Sequence, residues 1–382
     1  MIKIPKISLT PCNDYDYNAT KTAITQNIAH LGGFAPYINP GERVLLKINM
    51  LMKKSPNQAT TTHPTFVRAL SDLLLEYGCK VMIGDSPGGP FSEGYLRGIY
   101  KVTGMEEISK ETSATLNANF KQTEKELPCG KLLKRLTITD MLNDVDKVIS
   151  VSKLKTHGMM TFTGAVKNMF GIIPGLIKME YHLNMPEHSD FADMLIDVCE
   201  CAEPVLSFMD GIVGMEGAGP SAGNPRKIGV CIASDSPYAL DMAACSIINL
   251  DFDRVPTIVQ SQKRGLSPAS LNQAEMLGNP ISDFAVTDFE IPETKIVSVP
   301  KNPLLAGITN KFLQPRPKFL KNLCIGCGDC ERLCPAKVIK IENKFPCIEL
   351  KNCIRCFCCQ ELCPKKAVEI HRPRFLKFLS RL

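Results

Sequence analysis

The first 300 residues of the 382-residue chain alternate between short apolar runs rich in β-branched residues and segments of helical periodicity. This alternation is typical of a mostly parallel sheet with crossover helices. The runs that predict strands are 43–46, 80–83, 147–151, 205–209 and 227–233. The segments that predict helices are 64–77, 163–170, 190–201, 237–248 and 254–263. The pattern therefore predicts an α/β domain over residues 1–300.

The pattern changes near residue 300, where prolines become frequent. Pro300, Pro303 and Pro315 mark residues 301–315 as a linker. Residues 316–371, the cysteine-rich segment, follow it. Residues 372–382 form a tail in which Arg and Lys interleave with Phe and Leu. We interpret this basic amphipathic tail as a helix that packs its apolar stripe on the protein. A helix at a membrane surface or a site for an acidic partner is the alternative.

The cysteine-rich segment contains an internal repeat. Residues 324–341 align without gaps on residues 353–370, with nine of the eighteen positions identical. Each copy carries the spacing C-x-x-C-x-x-C-x-x-x-C-P. The cysteines in these positions are Cys324, Cys327, Cys330, Cys334, Cys353, Cys356, Cys359 and Cys363. Three closely spaced thiolates suit one face of a four-iron cluster, and the fourth, followed by proline, suits a neighbouring cluster.

This spacing resembles that of bacterial-type two-cluster ferredoxins. The resemblance implies a small α+β, ferredoxin-like domain that holds two 4Fe-4S clusters. It also implies two ligand sets, namely Cys324, Cys327, Cys330 and Cys363 for one cluster, and Cys353, Cys356, Cys359 and Cys334 for the other. A zinc ribbon, which also uses C-x-x-C pairs, is the alternative. Cys347 and Cys358 fall outside the pattern, and we interpret them as structural or as modulators of the cluster potential.

Composition and charge limit the cellular compartment in which we expect the protein. No apolar run approaches the roughly 18 residues of a membrane span, and the first residues lack the features of a secretory signal. We therefore expect a cytoplasmic protein without a transmembrane segment, whose 17 cysteines suit metal better than disulfides. Residues from 316 onward carry 15 basic and 6 acidic side chains, and the rest of the chain carries 30 and 33. Because two oxidised clusters carry about four negative charges, part of this basic excess compensates for them.

Polar residues follow every predicted strand of the α/β domain. They are Lys47 and Asn49, Asp85 and Ser86, then Lys153, Lys155 and His157, and finally Asp210 and Asp235. Ligands of open α/β sheets bind beyond the carboxyl ends of the strands. Helix capping alone would explain Asp and Ser, whereas a lysine is electrostatically unfavourable at a helix start. The lysines therefore indicate a site more strongly than the acids do.

Residues 153–182 carry the densest set of such side chains, four lysines and two histidines among several glycines. One interpretation is a basic pocket for an anionic substrate or a nucleotide phosphate, with a histidine that moves a proton near neutral pH. The other is a solvated face of lysines and a hydrogen-bonded loop histidine. We take Lys155 and His157 as candidate catalytic residues. Lys47, Asp85 and Lys167 are the supporting candidates.

Several strings of the α/β domain resemble a known family. They are LLKINM (45–50), TTTHP (60–64), IGDSPG (83–88), KLKTHG (153–158), TGAVKNMFG (163–171) and DGIVGMEGAGP (210–220). In number and order they resemble the family of domain of unknown function 362, over about residues 40–275. Members often carry a ferredoxin unit. The resemblance implies an iron-sulfur protein of the redox type and supplies neither a substrate nor catalytic residues.

These features lead to a working hypothesis. We expect an iron-sulfur oxidoreductase whose clusters pass electrons to an anionic substrate or cofactor at the strand ends. Its partner would be an electron donor or acceptor protein, and nothing in the sequence indicates a nucleic-acid partner. No short sequence signature decides for or against flavin. The alternatives are a non-catalytic electron-transfer or redox-sensing protein that acts on a partner protein, or a maturation factor.

Overall fold

The computed structural model of the chain describes residues 4–294 and 314–372. The predicted linker lies outside these residues except for its last two positions, and the predicted tail lies outside them except for Arg372. None of the helices in the described ranges has the length and apolar character needed to cross a membrane.

The chain folds into the following elements. The strands are β1 (Lys6–Pro11), β2 (Arg43–Ile48), β3 (Lys80–Gly84), β4 (Thr115–Leu116), β5 (Gln122–Glu126), β6 (Arg135–Thr139), β7 (Lys147–His157), β8 (Thr161–Thr163), β9 (Leu206–Glu216), β10 (Asn224–Ser234), β11 (Glu275–Gly278), β12 (Arg316–Phe319), β13 (Ile339–Glu342), β14 (Phe345–Ile348) and β15 (Val368–His371). The helices are α1 (Tyr17–His30), α2 (Pro64–Glu76), α3 (Glu93–Thr103), α4 (Met105–Glu111), α5 (Ala165–Asn168), α6 (Ile177–Asn184), α7 (His188–Ala202), α8 (Pro237–Ile247), α9 (Pro256–Lys263), α10 (Asp329–Arg332) and α11 (Cys358–Glu361).

A nine-stranded sheet of order β11-β1-β10-β9-β7-β2-β3-β4, with β8 paired to β7, forms the centre of the molecule. The run β4-β3-β2-β7-β9 is parallel throughout. Strand β10 runs antiparallel to both of its neighbours. The predicted class, a mostly parallel sheet with crossover helices, is therefore confirmed.

Helices cover both faces of this sheet. Alternate residues of β2 point to opposite sides, as strand geometry requires. Leu46 packs in one apolar cluster with α1, α2, α3 and α4, whereas its neighbour Leu45 packs in another with α7. A third cluster joins α8 and α9 to β1 and β10. With both faces covered, the carboxyl edge of the parallel strands is the place left for a ligand.

The α/β domain differs from the sequence-based expectations in two places. Strand β10 is antiparallel, so Asp235 at its end lies at the opposite edge from Asp85, where it accepts a hydrogen bond from the Lys6 backbone N–H (2.8 Å). The predicted helix 163–170 is α5 followed by a 3-10 turn, Met169–Ile172. The chain passes very close to β2 and β3 there: a Cβ on Gly171 would lie 1.9 Å from Asp85 Oδ1.

The cysteine-rich segment folds as two similar halves, in agreement with the repeat. Strands β12 and β15 pair in one antiparallel ladder and β13 and β14 in another. Equivalent positions share the left-handed backbone conformation: φ is 66° and 77° at Gly326 and Gly328, and 56° and 59° at Arg355 and Phe357. The duplicated sequence thus folds twice into the same backbone.

This segment packs on the carboxyl edge of the sheet. Four side chains donate hydrogen bonds to backbone oxygens across the boundary, namely Lys54 to Pro364 (3.1 Å), Ser221 to Glu361 (2.6 Å), Gln360 to Ala218 (2.8 Å) and Lys366 to Gly223 (2.9 Å). A Cβ on Gly88 would lie 2.7 Å from Leu362 Cδ2. The glycine-rich loops after β3 and β9 therefore form the surface on which the second repeat copy sits.

Candidate functional site

A cleft lies between the carboxyl edge of the sheet and helix α11. We call it the central cleft. Its lining combines both parts of the chain and consists of Asn49, Leu51, Asp85, Ser86, Pro87, Gly88, Lys167, Asn168, Phe170, Gly171, Lys178, Met179, His182, Cys358, Glu361 and Leu362. Of the candidate catalytic residues, Asp85 and Lys167 line the cleft, whereas Lys47, Lys155 and His157 lie one layer behind its surface.

Lys47, at the end of β2, supports Asp85. Its Nζ lies 2.7 Å from Asp85 Oδ1 and donates to the Ile48 carbonyl oxygen at 2.8 Å. The backbone N–H of Met50 donates to Asp85 Oδ2 at 2.8 Å. Burial lowers the pKa of Lys47, and the carboxylate of Asp85 opposes this shift. The pair holds the Asp85 carboxylate in a fixed position on the cleft surface.

Lys155 supports Asn49 in a similar way. Its Nζ donates to Asn49 Oδ1 at 2.6 Å and to the Thr60 carbonyl oxygen at 2.7 Å. The side chain is only 1% exposed. Burial lowers its pKa to about 7, against the attraction of Glu361. Lys155 therefore changes charge near neutral pH directly behind the cleft.

His157, at the end of β7, accepts hydrogen bonds from the backbone. Its Nδ1 accepts the backbone N–H groups of Met159 (3.1 Å) and Met160 (3.2 Å), so the ring proton lies on Nε2. That Nε2 faces Glu361 Oε2 at 3.6 Å. Burial lowers the pKa of His157 to about 4. Burial thus opposes protonation of this ring near neutral pH, and the catalytic role of His157 stays a prediction.

Two lysines reach the cleft itself. Lys178 donates to the Ser86 carbonyl oxygen at 2.5 Å, and burial lowers its pKa to about 7. The Nζ of Lys167 lies 5.7 Å from the ring centroid of Phe170, and burial lowers its pKa too. Within residues 4–294 and 314–372, Lys167 forms no hydrogen bond, so its ammonium is available to a ligand.

Glu361 is the site residue that the sequence analysis missed. It extends from α11 of the cysteine-rich segment, and its side chain is 15% exposed. Burial acts to raise its pKa, but the nearby His157 ring and the charge of Lys167 outweigh burial, and the pKa falls well below its usual range. One feature of the repeat pointed to Glu361: the two copies differ in charge at this position, where the first copy has Arg332.

His182 and Cys358 complete the polar lining. His182 is 5% exposed, and its Nδ1 has no hydrogen-bond partner in the part of the chain that the structure describes. Burial lowers its pKa to about 3, so the ring is neutral. Cys358 faces the central cleft, which agrees with its place outside the ligand pattern. Both present neutral polar atoms to the cleft.

Lys153 and Asp210 form a separate internal pair below the cleft. Lys153 Nζ donates to Asp210 Oδ2 at 2.8 Å and to the Tyr15 hydroxyl oxygen at 2.7 Å. The Tyr15 hydroxyl in turn donates to Asp210 Oδ1 at 2.8 Å. The Tyr15 ring stacks on His63 at a centroid distance of 3.5 Å. These strand-end residues hold β7 and β9 together and do not line the cleft.

The eight repeat cysteines surround two further cavities. The first is lined by Cys324, Cys327, Cys330 and Cys363, and the second by Cys334, Cys353, Cys356 and Cys359. Apolar residues such as Phe319, Ile341 and Val338 supply most of the remaining lining. All eight thiols are free of disulfides. Four thiols around an apolar cavity fit a four-iron cluster, and the grouping is the one that the ferredoxin resemblance implies.

Comparison with known protein families shows to which class of proteins the chain belongs. Residues 316–364 match the 4Fe-4S dicluster domain, so the chain is an iron-sulfur protein in which such a domain is joined to an α/β sheet. Residues 44–246, more than half of the chain, match the domain of unknown function DUF362. The chain belongs to the DUF362 family.

Relatives and solved structures extend this comparison. A thylakoid-associated protein of Synechocystis sp. is 30% identical over 291 residues, which is 76% of this chain and 88% of that protein. The lactate racemase apoprotein of Thermoanaerobacterium thermosaccharolyticum matches with a TM-score of 0.37 and 12% identity over 60% of this chain and 53% of its own. A Thermotoga maritima protein matches with a TM-score of 0.35 and 13% identity, over 58% and 56%. The chain thus spans about half the length of these two solved structures.

Proposed function

We propose that the protein is an oxidoreductase in which electrons pass between the dicluster domain and an anionic substrate or cofactor in the central cleft. Helix α11 is the observation that supports it. Cys359 of this one-turn helix lines the second cysteine cavity, whereas Cys358 and Glu361 line the central cleft. Two residues span at most about 7 Å of chain. Electrons therefore have a short path between cluster and ligand.

The charges of the cleft favour an anion. Lys167 and Lys178 line it, and Lys47 and Lys155 lie directly behind, against the carboxylates of Asp85 and Glu361. Lysine ammonium groups bind carboxylates and phosphates as point charges.

The chain can also supply protons. When bound, the four-iron clusters supply single electrons. Lys178, with a pKa of about 7, holds or releases a proton at the cleft surface near neutral pH. His157 Nδ1 accepts two backbone N–H groups, and burial lowers the pKa of this ring to about 4. We further propose that the protein works in the cytoplasm with an electron donor or acceptor protein, since its 17 cysteines are all unpaired.

Substrate-dependent reoxidation tests the proposal. Protein isolated without air is kept reduced by excess reduced methyl viologen and mixed in turn with small carboxylates and phosphate esters that carry a reducible bond, and its reoxidation is followed by visible absorbance. We expect at least one anion to reoxidise it catalytically. Lys167→Met and Lys178→Met should each lower kcat/KM at least about tenfold, and Lys110→Met, an exposed lysine of α4, should not. If no anion reoxidises the protein, or if all three variants match the wild type, the proposal is wrong.

Anion affinity should fall as the pH rises. A bound anion stabilises the protonated forms of Lys155 and Lys178, both with a pKa of about 7. Binding is therefore strongest below pH 7 and weakens above it, by up to about tenfold per pH unit for each proton taken up. Sulfate is a suitable probe because its charge is constant between pH 6 and 9. Calorimetry should give a dissociation constant at least about tenfold higher at pH 8.5 than at pH 6.

The variant Lys178→Met is the control for this dependence. It removes one of the two titrating groups, so its affinity for sulfate should be lower at pH 6 and should change less with pH. Equal pH slopes in the wild type and in this variant would contradict the assignment.

A further inference from the structure

We propose that an acidic one-electron carrier protein docks on the surface around the first cysteine cavity. We call this surface the outer face and define it by Lys321, Leu323, Ile325, Cys327, Lys344 and Lys365. The inference deepens the proposed function and rests on it, because it names the partner that exchanges electrons with the dicluster domain. Three observations support it, namely the asymmetry of the repeat, an exposed apolar pair and a set of unpaired lysines.

The two repeat copies have the same backbone and opposite surroundings. Gln360 and Glu361 of helix α11 are hydrogen-bonded to the loop after β9, whereas helix α10 of the first copy forms no hydrogen bond to the α/β domain within the described residues. Ile325 is 60% exposed, while Ile354 at the equivalent position is half-buried. Cys327 is exposed, while Cys356 at the equivalent position is half-buried. The second cysteine cavity thus lies on the side of the central cleft, and the first lies on the exposed side of the segment.

The exposed pair lies directly over the first cavity. Leu323 and Ile325 flank Cys324 and are 42% and 60% exposed. Ile325 also lines the first cavity together with Cys327. Large exposed apolar side chains beside a redox centre form the water-excluding contact that a docked protein needs. A carrier seated here would lie next to the most exposed of the ligand cysteines.

Positive charge surrounds this pair. Lys321, Lys344 and Lys365 are exposed and form no ion pair within the described ranges. Lys365 lines the same cavity as Ile325, and a Cβ on Gly326 would lie 2.8 Å from the Lys344 carbonyl oxygen, so both lysines are close to the apolar pair. The nearby Asp329 is already paired with Arg332. Such a basic ring around an apolar centre complements an acidic protein.

One electron passes between the two proteins at this surface. The reduced carrier gives up one electron and is oxidised, and the dicluster domain takes up that electron and is reduced; no proton and no bond change are involved. The order of the cavities then gives a route from the outer face, past Cys327, to the second cavity and to helix α11 at the central cleft.

The test uses an oxidised plant-type 2Fe-2S ferredoxin, which is small and acidic, as the binding probe. The double variant Lys321→Glu/Lys365→Glu should raise the dissociation constant for the oxidised ferredoxin, measured by calorimetry, at least about tenfold, and should weaken its dependence on salt. Ile325→Gln should weaken binding severalfold without changing that salt dependence. The matched control is Lys351→Glu, an exposed lysine that precedes Cys353 in the second copy.

Iron content and reduction by methyl viologen, a small reductant that needs no docking surface, are measured on every variant and should stay at wild-type values. If the double variant binds ferredoxin as the wild type does, or if Lys351→Glu weakens binding equally, the outer face is not the docking surface. If viologen-reduced protein turns over no substrate while the double variant still loses ferredoxin affinity, the proposed function fails and the docking surface stands.

Discussion

Asp210→Ala should lower the free energy of unfolding by about 3–5 kcal/mol. The carboxylate accepts hydrogen bonds from Lys153, from the Tyr15 hydroxyl and from the His63 backbone N–H. Lys153 and Asp210 are 1% and 0% exposed. Removal of the carboxylate leaves the Lys153 ammonium buried with only the Tyr15 hydroxyl as a partner, and a stranded buried charge is among the costliest single changes to a protein. Urea unfolding under anaerobic conditions, followed by circular dichroism, measures the loss.

Two further variants separate charge from packing. The double variant Asp210→Ala/Lys153→Met also removes the stranded ammonium and should be more stable than Asp210→Ala alone. Asp288→Ala breaks an exposed pair with Arg226 and should change stability little, because solvent screens such pairs. A loss below about 1 kcal/mol in Asp210→Ala, or a double variant less stable than the single one, would contradict the role of the pair.

The parts of the fold that the sequence predicted are those set by local patterns. Strands β2 and β3 and helices α2 and α8 begin at the predicted residues and end within two residues of the predicted positions. Strand β7 was predicted to end six residues early. Its second half carries Lys153, Lys155 and His157, which read as a polar loop. These polar side chains are buried in a strand because residues far along the chain, such as Asp210 and Glu361, lie next to them. A local sequence pattern does not contain such distant residues.

Strand direction is likewise absent from the pattern. The run 227–233 reads as a buried strand in either orientation, and only its position between β1 and β9 makes β10 antiparallel. This reversal removed Asp235 from the candidate site. Helix α1 was missed because its residues carry little amphipathic contrast, although Asp16 caps it with a hydrogen bond to the Ala19 N–H.

The sequence predicted the residue types of the candidate site but not which of these residues reach the cleft surface. Residue types at strand ends pointed to a basic site, and Asp85 and Lys167 do line the central cleft. The residue type at a strand end does not show which lysine reaches the ligand and which only supports a neighbouring side chain. Lys47 and Lys155 therefore turned out to lie behind the surface, and Lys178 on it. Glu361 comes from the other part of the chain, where cysteine spacing dominates the sequence signal.

The repeat explains how one small unit can serve two surfaces. Equivalent positions carry Asp329 and Cys358, and Arg332 and Glu361. In the first copy Arg332 pairs with Asp329 at the exposed surface. In the second copy the same turn points Cys358 and Glu361 into the central cleft. The backbone, and with it the cysteine geometry, is retained, while the side chains between the cysteines differ according to what each copy faces.

Cys359→Ala and Cys358→Ala, which change adjacent residues of α11, should differ sharply in iron content. Cys359 lines the second cavity with Cys334, Cys353 and Cys356, whereas Cys358 faces the central cleft. Protein isolated without air should contain about eight iron atoms per chain, and Cys359→Ala about four or fewer, because a four-iron cluster that loses one of four thiolates is no longer held. Cys358→Ala should keep about eight.

Elemental analysis and the visible absorbance of both variants provide the measurement, with Cys347→Ala, an exposed cysteine outside the repeat pattern, as a second control. Equal iron loss in Cys358→Ala and Cys359→Ala would mean that Cys358 also serves the cluster, and zinc in place of iron would contradict the cluster assignment altogether. The expected difference in iron content would show that adjacent residues of helix α11 have different roles. Cys359 would then hold the cluster, and Cys358 and Glu361 would belong to the ligand that the cluster serves.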